Sequence, residues 1–71
     1  METRKIFSKK LQEAVKTSTI NYAELAKSLG ITKATMSMYK SGKALPSLET
    51  FDKLCDLLDV SADFLLGKKE F

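Results

Sequence analysis

The run from Lys33 to Lys43, KATMSMYKSGK, carries the residues best suited to directed hydrogen bonding. Read as a helix, it places Met36 and Tyr39 on one face, three residues apart. Lys33, Ala34, Ser37 and Met38 then turn to the opposite side, with Thr35 and Lys40 beside them. A lysine so placed can donate to guanine O6 and N7. Alanine and methionine can pack on thymine methyls, and serine accepts either kind of partner. Lys33 opens the helix and sits at the end that would enter a groove. Lys43 lies beyond Gly42, past the helix end, where only a phosphate backbone would be within reach.

Other chemistries lack their residues. The chain has no histidine and one cysteine, so an imidazole base and the common zinc sites are excluded. Gly30, Gly42 and Gly67 are scattered singly and form no phosphate-cradling loop. Glu49, Asp52, Asp56 and Asp59 run along one side of a helical segment and read as a solvated face. Cys55 falls in an apolar row and reads as a buried filler, since neighbouring carboxylates disfavour a reactive thiolate. Neither an enzyme, nor a cofactor, nor a metal, nor a small-molecule ligand is expected.

At 71 residues the chain is read as one domain. A chain this short buries only about 60% of its unfolded surface, so its core must be efficient. No apolar run approaches the length of a membrane span, and the lysine-rich start is not followed by an apolar segment. With an unpaired cysteine as well, a cytoplasmic protein is the expectation. The formal charge is +3, unevenly spread: nine basic and three acidic residues in 1–45, three basic and six acidic in 46–71. A basic face is the electrostatic footprint of nucleic-acid binding.

The elements that must hold these residues follow from periodicity. The start to Lys5 is expected to fray. Phe7, Leu11, Ala14 and Val15 form one stripe of a first helix from Ile6 to about Lys16. Thr17 to Thr19 make a loop. Asn21 and Glu24 approximate a capping box at the start of a second helix, Tyr22 to Leu29. Leu25, Ala26 and Leu29 share its inner face, and Ala26 is small where helices must cross. Gly30 ends this helix in the left-handed region. Ile31 plugs the gap, and Thr32 caps a third helix, Lys33 to Ser41, which Gly42 terminates. Pro46 keeps Leu45 out of helical geometry. Ser47 caps a fourth helix whose core face is Leu48, Phe51, Leu54, Cys55 and Leu58. Ser61 caps a last short helix, Ala62 to Leu66, before a polar tail. The expectation is an all-α fold of about five short helices, with the core over about 6–67 and a helix-turn-helix at 22–41.

The resemblance is specific enough to name a family. ELAKSLGIT, YKSGK, PSLETFDKLCDLL and VSADFLLG, in that order, resemble the lambdoid phage repressors and Cro proteins, the xenobiotic-response-element type. Ala26, Gly30, Met36 and Tyr39 fit the family's helix-turn-helix pattern, and the likeness covers roughly 7–67. It implies a compact five-helix, lambda-repressor-like domain. It implies base-reading positions at Lys33, Ala34 and Met38, with Ser37 adjacent. Phosphate-contact positions correspond to Asn21, Tyr22, Ser41 and Lys43, to which Thr32 and Lys40 are added. The chain departs from many members at Tyr22, where they carry glutamine, and at Val15 and Lys40, where they carry an arginine–glutamate pair. Both partners of that pair change together, so no unpaired charge is left inside, and Lys40 is expected to face DNA. The implied function is a sequence-specific DNA-binding regulator of transcription, a repressor on a palindromic operator. It would act as a homodimer whose copies meet through the last helices and the linker near Leu45. It could be a whole Cro-like protein or the DNA-binding piece of a longer repressor. The alternative is a protein-interaction module, an antitoxin or anti-repressor partner, meeting another protein through Met38 and Leu45. A salt titration on duplex DNA separates the two, since apolar protein contacts lose little to salt.

Overall fold

Local capping decides where most of the helices begin and end. In the computed structural model, which describes residues 2–70, five helices follow one another: α1 (Glu2–Thr17), α2 (Tyr22–Leu29), α3 (Lys33–Ser41), α4 (Leu48–Leu58) and α5 (Ala62–Leu65). No strand occurs among the described residues. The Asn21 side chain accepts from the Glu24 N–H at 2.8 Å, and the Glu24 carboxylate accepts from the Asn21 N–H at 3.4 Å, closing a capping box. Thr32, Ser47 and Ser61 each accept the N–H three residues on, at 3.1, 3.2 and 3.0 Å. These caps satisfy donors that the first turn of a helix leaves open. At the far ends, Gly30 and Gly42 stand at φ 69° and 80°. Both turns therefore use the residue type that enters the left-handed region at least cost.

The core is one cluster drawn from all five helices. Phe7, Leu11, Leu25, Leu54 and Leu65 are its fully buried centre. The Phe7 ring meets Tyr39 edge-on at 6.4 Å between centroids and Phe51 at 6.1 Å. Aromatic rings prefer such tilted contacts to a flat stack. The Cα radius of gyration is 10.7 Å, close to the roughly 11 Å expected of a folded chain of this length. No described helix is long and apolar enough to cross a membrane.

Three sequence expectations are corrected. The first helix starts at Glu2, not Ile6, so residues 2–5 are helical rather than frayed. Within these exposed turns the Arg4 carbonyl lies 3.3 Å from where a Cβ on Gly42, just past α3, would stand. Leu48 is 87% exposed, not core. It is the first residue of α4, one turn before Phe51, where contact with the cluster begins. Cys55 is half-buried rather than enclosed. Of the apolar triplet in α5 and its end, Leu65 is buried while Phe64 and Leu66 are half-buried.

Candidate nucleic-acid interface

The outer surface of α3 is created by what its inner face buries. Met36 and Tyr39 are 3% and 7% exposed and hold the helix on the core. At a helical turn of 3.6 residues, the opposite side carries two adjacent rows, 33–37–40 and 34–38–41. Lys33, Ala34, Ser37, Met38, Lys40 and Ser41 are all exposed. Met38, at 44%, is a large apolar side chain open to water in the middle of this surface. The structure therefore brings Lys33, Ala34, Ser37 and Met38 together as one surface. The Ser41 hydroxyl donates back to the Met38 carbonyl at 3.3 Å. Lys43 follows the Gly42 turn, its own N–H donating to the same carbonyl at 2.9 Å. Its exposed side chain thus leaves from the rim of the α3 surface rather than its centre.

Asn21 and Thr32 sit at the N-termini of α2 and α3, where the helix dipoles present positive ends. The Asn21 cap engages Oδ1 and leaves the amide's two N–H donors outside the cap. The Thr32 hydroxyl is occupied twice: it accepts from the Thr35 N–H and donates to Thr35 Oγ1 at 3.0 Å. An anion at Thr32 would therefore meet the backbone rather than the hydroxyl. Glu24 is the one carboxylate between 21 and 43 in the sequence, and it is engaged in the capping box. Lys33, Lys40 and Lys43 thus define the charge of this face.

Lys40 does not project freely. Its ammonium lies 4.6 Å from the centroid of the Tyr22 ring. Tyr22 and Lys40 border a cleft of about 260 Å³ between α2 and α3, with Lys33 and Ser37 on its walls and Ala26 and Met36 lining it. Burial pushes the Tyr22 phenol above its ordinary value. The Lys40 backbone is held as well. Its carbonyl accepts from the Ser8 hydroxyl and, at 2.9 Å, from Gln12 Nε2. The terminal carbonyls of a helix have no partner within it, and α1 supplies one here. Sequence reasoning singled out neither Ser8 nor Gln12. Their spacing of four on one helix face, each directly after a buried residue, Phe7 and Leu11, was the available signal.

Comparison with known proteins places this geometry. The helix-turn-helix family model HTH_3 matches residues 10–65. The SPbeta prophage-derived HTH-type transcriptional regulator YonR of Bacillus subtilis is 38% identical over 61 residues, 86% of this chain and 56% of that protein. The HTH-type transcriptional regulator ImmR of the same organism is 37% identical over 62 residues, 87% of this chain and 49% of that protein. The cryptic phage CTXphi transcriptional repressor RstR of Vibrio cholerae is 37% identical over 46 residues, 65% of this chain and 41% of that protein. The chain thus spans about half the length of the curated relatives it matches. Among solved structures, that of the SOS-response transcriptional repressor LexA from Eubacterium rectale superposes with a TM-score of 0.88 at 25% identity, covering all of this chain and 76% of that one. On the extent of the family match and the agreement of its turn, caps and buried positions, the chain belongs to the HTH_3 helix-turn-helix family, the Cro/C1-like type, among relatives named as phage-related transcriptional regulators and repressors.

Proposed function

We propose that this chain is a sequence-specific DNA-binding regulator of transcription, a repressor that docks α3 in the major groove of a palindromic operator as a homodimer. The observation that carries the reading is the exposed α3 surface of Lys33, Ala34, Ser37 and Met38, fixed from behind by Met36 and Tyr39. Helix N-termini at Asn21 and Thr32 and the lysines at 40 and 43 flank it. Lys33, Ala34, Ser37 and Met38 read base edges in this account. Asn21, Tyr22, Thr32, Lys40, Ser41 and Lys43 contact phosphates and set the register.

The two lysines at the ends of α3 separate base reading from backbone contact. Lys33→Ala should cost roughly 1–3 kcal/mol on the selected site and relax preference at one or two base pairs. Lys43→Ala should weaken all duplexes alike and lower the salt slope by about one unit per half-site. Both variants are measured on a site selected from random DNA and on its scrambled form, at several salt concentrations. Equal losses on both duplexes for Lys33→Ala would make Lys33 a phosphate contact and move base reading to Ser37, Ala34 and Met38. Duplex binding indifferent to salt would favour the protein-interaction reading instead.

The dimer has its own support. Leu48 and Leu45, 87% and 41% exposed, flank a shallow apolar cleft of about 160 Å³ bordered by Pro46, Phe51, Leu66 and Thr3. A second copy is the partner proposed for this patch. Two half-sites a helical turn apart then multiply the specificity of a small interface. Sedimentation with a two-half-site duplex should give two chains per duplex. A strict 1:1 complex at saturating protein would remove the homodimer.

A further inference from the structure

We infer that Tyr22 and Lys40 form a single phosphate clamp in which the tyrosine ring is the positioning group for the lysine ammonium, so that neither residue contributes its full contact without the other. The inference deepens the DNA-binding reading above and rests on it.

An exposed lysine carries a flexible four-carbon stem, and ordering it on a phosphate offsets part of what the contact gains. Lys40 is held at its main chain and at its ammonium. Its carbonyl is held by Ser8 and Gln12 of α1. Its ammonium rests 4.6 Å from the Tyr22 ring centroid on α2. The face of an aromatic ring is its negative side and attracts a cation there. Two neighbouring helices thereby hold this residue of α3, α1 at its main chain and α2 at its ammonium. An ammonium seated on a ring keeps N–H donors on its outer side. The hydroxyl of the same Tyr22 ring adds a neutral donor, and burial raises its pKa further from the neutral range. Tyr22 is also the first residue of α2, immediately after the Asn21 cap, so the positive end of that helix lies at the same place. Ala26 and Met36 give the cleft beneath an apolar lining. The ligand is therefore one phosphate of a DNA backbone crossing from α2 to α3.

Four variants on one mixed-sequence duplex decide the matter: Tyr22→Phe, Tyr22→Leu, Lys40→Gln, and Tyr22→Leu with Lys40→Gln. Affinity is measured across salt, with thermal melting to confirm that each variant folds. Lys40→Gln should lower the slope of log affinity against log salt by about one unit per bound chain. Between about 50 and 200 mM salt, the overall loss of affinity then shrinks roughly three- to fourfold for each contact removed. Tyr22→Phe keeps the ring and should keep that slope. Tyr22→Leu should reproduce most of the Lys40→Gln change, and the double variant should add little to either. Additive effects, or a Tyr22→Leu slope equal to that of the unaltered protein, would overturn the clamp while leaving DNA binding intact. Loss of salt-dependent duplex binding in the unaltered protein would instead remove the DNA-binding reading itself. A measurement without DNA guards against a variant that does not fold. In the free protein the Lys40 ε-methylene protons should show an upfield ring-current shift. Shifts typical of a free lysine side chain there would overturn the inference.

Discussion

The third helix and the start of the fourth carry apolar residues of similar size in positions of similar regularity, and the fold treats them differently. Met36 and Tyr39 are enclosed, and through them α3 is seated on the molecule. Leu48 opens the periodic row of α4 and stands almost wholly in water, while Leu54 and Leu58 of the same row are buried. The difference is one of position along the axis. Tyr39 meets Phe7 of α1 across the core. Leu48 lies at the helix tip, before the row reaches the cluster at Phe51. Periodicity reports which side of a helix is apolar. It does not report how far along that side the core extends, and the overhang is where a partner can bind.

The sharpest way to break this comparison is to truncate the α4 row at its buried middle and at its exposed tip. Leu54→Ala should destabilise by roughly 2–5 kcal/mol, the range for a buried leucine whose site cannot collapse. Leu48→Ala should stay within about 0.5 kcal/mol, as surface substitutions do, while weakening self-association. Urea melts of the two variants should diverge widely. Coincident midpoints would mean that the row has been divided wrongly.

A smaller effect probes how α3 is fixed by its backbone. Gly30 and Gly42 both hold positive φ, where any other L-residue costs roughly 1–2 kcal/mol. A Cβ at Gly30 meets open space, whereas at Gly42 it lies 3.3 Å from the Arg4 carbonyl of α1. Gly42→Ala should therefore cost more than Gly30→Ala in thermal melts. The reverse order would detach α1 from the end of α3.

The smallest effect concerns Cys55, half-way along the α4 row. Burial, then Asp52 and Asp56, push its thiol above the ordinary value. The neutral thiol is thus favoured by the folded state. Its contribution to stability is complete below the ordinary thiol value and is lost as pH rises through the raised one. Near pH 8, iodoacetamide should react more slowly with the folded chain than with the urea-unfolded chain. Equal rates would place Cys55 outside the packed row.

Against these contrasts, the sequence was most legible where signals are local. The bounds Tyr22–Leu29 and Lys33–Ser41 are those observed, because Asn21, Gly30, Thr32 and Gly42 mark them chemically. The first turn of α1 has no such marker in the sequence, and residues 2–6 are exposed, so no apolar stripe reported its helicity. The exposed set 33, 34, 37 and 38 followed from helical period alone. Its partners did not. Ser8 and Gln12 lie 32 and 28 residues from Lys40, and no pattern within α1 names the carbonyl they meet. Lys40 was expected to project from the surface. Its seat on Tyr22 depends on the approach of α2 and α3, a distance that no spacing in the chain encodes.

The way α3 is anchored has a consequence for inheritance. Its hold on the molecule runs through a capping hydroxyl at Thr32, two inward side chains, a glycine turn and a main-chain carbonyl. Residues 33, 34, 37 and 38 take no part in that hold. Exchanging all four leaves the scaffold with every one of its supports. On the proposed assignment of base reading to these four positions, a lineage built on this frame can change what it reads without having to refold, and its fold can persist while its targets drift.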